Sequence, residues 1–80
     1  MEELRIIRAK EAQTMFGMPK STFYNRVSDG LMPSSISLGG KAVGWVLSEL
    51  NAVIKAMIKG KSEDEIKRLV SELKVNRANN

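Results

Sequence analysis

The sequence predicts a mainly helical domain with one β-hairpin, and three observations support it. Apolar residues recur at helical spacing in four separate stretches. Glycine closes the first three of them, at Gly17, Gly30 and Gly60. Between the second and third stretches the period drops to two on both sides of Gly39-Gly40, the pattern of two strands joined by a tight turn. The expected order is helix, tight turn, helix, hairpin, helix, helix.

Leu4, Ile6 and Ile7 open the chain, interrupted by Arg5 and followed by Arg8. They read as a short extended lead-in or as the start of a helix. From Ala9 to Phe16, Ala12, Met15 and Phe16 fall at i, i+3, i+4 and form one apolar stripe. Gly17 then ends the helix, because a left-handed residue past its last turn carries no steric penalty for glycine. Pro19 suits a first helical turn, where its missing N–H has no intrahelical partner to lose. A second helix is therefore expected over 19–28, burying Phe23 and Val27, with Leu31-Met32-Pro33 leading away. Over 36–45, Ile36 and Leu38 alternate with serines, and Val43 and Trp45 alternate with Ala42 and Gly44. A lone hairpin is marginal in water, so it has to pack on the helices, with Trp45 as its anchor. Ser48 is the expected N-cap of the third helix, whose stripe is Leu50, Val53, Ile54, Met57 and Ile58. Ser62 and Glu65 have the spacing of a capping box for the fourth, with a stripe of Ile66, Leu69, Val70 and Leu73. That stripe either completes the core or forms a contact with another copy. The domain is expected to span 1–75 as one unit, with 76–80 a frayed polar tail.

Eighty residues suffice for one small core. The chain is 42% hydrophobic and 28% charged, a globular composition. Thirteen lysines and arginines against nine acids give a net charge of +4, a weak pointer to a polyanion by itself. Cysteine and histidine are both absent. Disulfides, thiolate metal sites and serine–histidine or cysteine–histidine catalysis are therefore excluded. The remaining carboxylates and lysines are scattered, so no enzyme activity, cofactor, metal or small-molecule substrate is expected. No run approaches the ~18 apolar residues of a membrane span, and the first ten residues lack the unbroken apolar block of a signal peptide. A small, cytoplasmic, basic domain that binds a partner is the expectation.

Two short helices joined by a glycine turn, with a hairpin after the second, describe a winged helix-turn-helix. The second helix of such a unit enters the major groove. With Phe23 and Val27 turned inward, the remaining face is expected to show Lys20, Ser21, Thr22, Asn25 and Arg26, with Tyr24 beside them. No acid lies between Lys20 and Ser28. Arg26 has the donors for a guanine edge and Asn25 the donor–acceptor pair for adenine. Lys20, Ser21 and Thr22 suit phosphate, aided by the free N–H groups of a helix start. Each feature also has a plainer reading. Tyr24 fits a half-buried core residue, Lys41 an ordinary hairpin tip, and Met15 and Met18 core filler. The Glu63-Asp64-Glu65 cluster is explained by the dipole of a first helical turn.

The stretch from Ile7 to Ile54 resembles the AlpA family of phage and prophage regulators, small proteins related to excisionases and to the MerR-type winged helix. The matching pieces are Ile7-Arg8-Ala9-Lys10-Glu11 and the run from Gly17 to Tyr24. Gly30-Leu31-Met32-Pro33, the run from Ser37 to Trp45, and Ser48-Glu49-Leu50 complete them. The last helix lies outside the resemblance. It implies a recognition helix at 19–28 and a wing at 36–45 whose Gly39-Gly40-Lys41 tip lies on the backbone or minor groove of double-stranded DNA. It also implies a transcriptional regulator or, alternatively, an excisionase that bends attachment-site DNA for an integrase. Two departures stand out. Family members often carry arginine after the tryptophan, where this chain has Val46, and a basic residue near Ser28 and Asp29. Both lower the count of phosphate contacts. The expected partners are duplex DNA, with neighbouring copies of the chain or an integrase as further candidates. Lys10, Lys20, Lys41 and Arg8 would neutralise phosphates, while Tyr24, Asn25 and Arg26 read bases and Gly40 lets the wing tip approach. The competing class is a protein-interaction module anchored on Tyr24 and Met18.

Overall fold

The computed structural model describes residues 5–78, so Leu4 and the last two residues of the expected tail lie outside it. Its elements in order are β1 (Ile6–Ile7), α1 (Ala9–Phe16), α2 (Lys20–Ser28), β2 (Ile36–Gly39), β3 (Ala42–Val46), α3 (Leu47–Ile58) and α4 (Glu63–Ala78). This is the expected order with one addition. The hairpin is part of a three-stranded antiparallel sheet in the order β1-β3-β2. The open reading of Ile6-Ile7 thus resolves to a strand, with Ile6 opposite Val46 and Ile7 opposite Trp45.

Each of the first three helices is stopped by the same pair of hydrogen bonds. At α1, the Gly17 N–H donates to the Thr14 carbonyl and the Met18 N–H to that of Gln13. Gly17 takes φ 65°, a left-handed conformation that a side chain would strain. This turns the chain tightly enough for α2 to start three residues later. Equivalent bonds run from Gly30 and Leu31 to Val27 and Arg26, and from Gly60 and Lys61 to Met57 and Ala56. The start of α4 is the expected capping box: the Glu65 N–H donates to Ser62 Oγ at 3.2 Å, and Ser62 N donates to Glu65 Oε1 at 3.2 Å. Those bonds from Ser62 hold the Glu65 carboxyl below its usual range. The contribution of this cap is therefore complete at neutral pH and is lost as the pH falls through that lowered value.

The start of α3 departs from expectation. Ser48 does not cap it; β3 runs straight into the helix, with Val46 at the cap position and no side-chain cap. The first helical N–H, that of Leu47, donates instead to the Arg5 carbonyl just before β1, at 2.7 Å. A backbone acceptor from the residue that precedes the added strand takes the place of the serine hydroxyl.

The core gathers Ile7, Ala12, Phe23, Leu31, Met32, Trp45, Leu50, Val53, Ile66 and Val70. Ile66 and Val70 are both buried, so the stripe of α4 completes the core. Leu31, Met32 and Pro33, expected only to lead away from α2, are buried as well. Three apolar residues of the hairpin and α3 lie further out than their spacing suggests. Leu38 and Val43 stand at the projecting end of the hairpin, and Ile58, the last residue of α3, is 79% exposed. α4 runs past residue 75 to Ala78, and Arg77 is bonded to Glu49 and Ser34.

Gly44 marks a close approach within the sheet. A Cβ there would meet Ile6 Cγ2 at 2.5 Å, the Ile7 carbonyl oxygen at 3.1 Å and Leu38 Cδ1 at 3.2 Å. Gly44→Ala should therefore force β1 off β3, at a cost of ~1–3 kcal/mol. Urea denaturation would show this as a lower midpoint; an unchanged midpoint would mean that the contact yields freely.

Candidate nucleic-acid interface

An α-helix turns by about 100° per residue, so a buried Phe23 and a partly buried Val27 fix where the other side chains of α2 point. Ser21, Thr22, Asn25 and Ser28 fall on the far side and are exposed, as is Lys20 at the start. The helix begins after Pro19, and no side chain caps it. Its first backbone N–H groups are thus left facing outward beside the Lys20 ammonium and the Ser21 and Thr22 hydroxyls. The exposed acid nearest in sequence is Asp29, beyond the last helical residue. The chain's own C-terminal helix does not cover this face.

Tyr24 and Arg26 flank the face rather than lie on it. Tyr24 is 38% exposed. Its ring meets Phe23 edge-on at 5.7 Å and Trp45 at 6.1 Å, and Phe23 meets Trp45 at 5.2 Å. Edge-to-face contacts at these separations are favourable, and they make one aromatic triad from two residues of α2 and one of β3. The triad fixes the hairpin against the helix. Trp45 is itself held by its indole N–H, which donates to the Pro33 carbonyl at 2.9 Å. Arg26 is half-buried on the other flank, and its Nε is buried without a hydrogen-bond partner among the described residues. The expectation that Arg26 stands on the free face is corrected in this respect. Residues three apart share a helix side, so Arg26 is drawn toward the Phe23 side.

Gly40 and Lys41 form the exposed tip of the β2–β3 hairpin, with Ala42 paired to Gly39 and an irregularity in register between Ser37 and Gly39. Lys10 and Arg8 are exposed at the start of α1, on a different element. Their neighbour Glu11 forms an ion pair with Arg5 at 3.6 Å. The expected residues thus fall into four groups: Lys20, Ser21, Thr22 and Asn25 together on α2, Tyr24 and Arg26 on its flanks, Gly40 and Lys41 on the hairpin tip, and Lys10 apart on α1.

A further polar cluster escaped the sequence reading. Arg77 donates from Nε to Glu49 Oε2 at 2.7 Å and from Nη2 to Glu49 Oε1. Its Nη2 also donates to the Ser34 carbonyl at 2.8 Å. Glu49 is buried, and the guanidinium of Arg77, whose own affinity for its proton is raised by this carboxylate, is its partner. Glu49 stands in the first turn of α3, where a carboxylate is expected for the dipole alone. Nothing local pairs it with an arginine 28 residues later.

Among the described residues, no group of acidic, histidine or cysteine side chains is placed to hold a metal ion, and no helix is long and apolar enough to cross a membrane. A shallow groove of about 260 Å³ between α3 and α4 is lined by Ala56, Leu69 and four charged residues, and includes none of the candidate residues.

Residues 5–57 match the family described as prophage CP4-57 regulatory protein (AlpA). Over 57 residues, the chain is 37% identical to the uncharacterized protein ORF88 of Enterobacteria phage P4. That similarity covers 71% of this chain and 65% of the phage protein's length. No solved structure matches significantly.

Proposed function

The chain belongs to the AlpA family of prophage regulatory proteins, and from that premise we propose that it is a sequence-selective binder of double-stranded DNA that regulates transcription. α2 enters the major groove and the β2–β3 hairpin lies along the adjoining backbone or minor groove. The observation that carries this reading is the bare, acid-free face of α2, Lys20, Ser21, Thr22 and Asn25, held at a fixed angle to the Lys41-tipped hairpin by the triad of Phe23, Tyr24 and Trp45.

Lys20, the hydroxyls of Ser21 and Thr22 and the open helix start hold phosphate. Asn25 pairs with an adenine edge. Arg26 reaches a guanine from the flank with its outer guanidinium nitrogens, and docking relieves the unpartnered Nε only if the side chain swings outward. Tyr24 contributes its ring edge and hydroxyl at the seam between helix and wing. Lys41 takes a phosphate beside the wing, Gly40 admits the strand closely, and Lys10 and Arg8 reach the flanking backbone.

A duplex selected from a random pool provides the test. With about four phosphates neutralised, log K should fall against log salt with a slope of about −4; a slope near zero overturns the reading. Arg26→Ala should cost ~1–3 kcal/mol on the selected site and relax selectivity at one base pair. Lys41→Ala should weaken all duplexes alike and reduce the slope by about 1. A protein-interaction module would instead show no retardation of duplex DNA at moderate salt.

A further inference from the structure

We propose that Arg77 is a positioning residue for DNA binding: its clasp on Glu49 and Ser34 sets how the hairpin stands against α2. The inference rests on the DNA-binding reading and assigns a role to α4, which lies beyond the residues that match the family.

The path is short and fully bonded. Arg77 Nη2 donates to the Ser34 carbonyl at 2.8 Å, and Nη1 lies 3.4 Å from the Ser34 hydroxyl. Ser34 follows Pro33, whose carbonyl accepts the Trp45 indole N–H at 2.9 Å. β2 begins at Ile36, two residues past Ser34. Trp45 packs against Phe23 and Tyr24 of α2. One side chain near the end of α4 therefore holds the base of the hairpin on both sides: at Ser34, where the chain enters β2, and at Glu49, just after β3 has become α3.

The chemistry suits positioning better than plain stabilisation. A buried ion pair replaced by apolar residues of similar size often leaves stability unchanged or improved, because desolvation offsets the attraction. What such a pair supplies that leucine does not is direction. The planar guanidinium fork engages both carboxylate oxygens at once, and its remaining donors are then aimed at one backbone carbonyl.

The test measures binding of the full chain to the selected duplex, with folding followed by circular dichroism and thermal unfolding. The paired change E49L/R77L removes both charges and leaves no orphaned carboxylate. R77K keeps a cation beside Glu49 but lacks the fork, and it carries the test if the leucine pair does not fold. Either folded variant should bind roughly 3- to 30-fold more weakly. In a Lys41→Ala background, where the wing no longer holds phosphate, the same change should have little effect. Parental affinity in a folded variant, or an equal loss in the Lys41→Ala background, overturns the proposal while leaving the DNA-binding reading intact. Failure of the parent protein to bind any duplex overturns that reading, and the proposal with it.

Discussion

Trp45→Ala should cost ~3–5 kcal/mol of folding free energy. That is a large fraction of the total for a chain of this length, for which ~4–12 kcal/mol is ordinary. Trp45 is 1% exposed and packs against Phe23 and Tyr24. Its strand neighbour across the sheet is Ile7. Its loss opens a cavity where the sheet, α2 and the 31–33 segment meet. It also leaves the Pro33 carbonyl without its donor, which a buried acceptor tolerates poorly. Urea denaturation followed by far-UV circular dichroism would read this as a variant partly unfolded without denaturant. Trp45→Phe separates the two contributions: it restores most of the ring and should recover much of the loss, with a deficit of ~1–3 kcal/mol for the missing hydrogen bond. A variant as stable as the parent would show that the triad does not hold the hairpin.

Arg77→Met should destabilise by ~3 kcal/mol, because it strands the carboxylate of Glu49 in the interior. The size depends on the unpaired charge rather than on the lost contact. The double variant E49L/R77L should therefore stand well above Arg77→Met in midpoint, even though it lacks both members of the pair. A double variant no more stable than the single one would mean that the loss came from packing of the arginine stem. Measurement at two salt concentrations adds a check, since a largely desolvated pair is screened far less than an exposed one. The exposed pair of Lys61 and Glu65, 3.7 Å apart, should contribute little by comparison.

The elements that were legible in the sequence are those specified by local chemistry. Gly17, Gly30 and Gly60 each end a helix because the two bonds that stop it need only residues within five positions. Ser62 and Glu65 form their capping box for the same reason. The hairpin is read from alternation around Gly39-Gly40, and the AlpA resemblance from runs that the family match also covers. What stayed hidden depends on partners far along the chain. Two residues, Ile6 and Ile7, are too few to declare a strand until β3 is there to pair with them. Ser48 has the right chemistry for a cap but loses the position to Arg5, whose carbonyl reaches Leu47 across the sheet. Arg26 reads from the sequence as part of the free face because Phe23 and Val27 alone mark the inward side there, whereas its angle to Phe23 draws it to the flank. Arg77 stands in a polar stretch, and its partners Glu49 and Ser34 lie too far back along the chain to be read locally.

Both ends of the described chain converge on the junction of β3 with α3: Arg5 closes on Leu47, and Arg77 on Glu49. Arg77 comes after α2, both hairpin strands and α3 in chain order, so these elements are synthesised before the clasp that joins it to Glu49 can close. On the proposal above, a chain nicked ahead of Arg77 would keep every side chain proposed to face DNA yet hold a duplex more weakly than the intact chain.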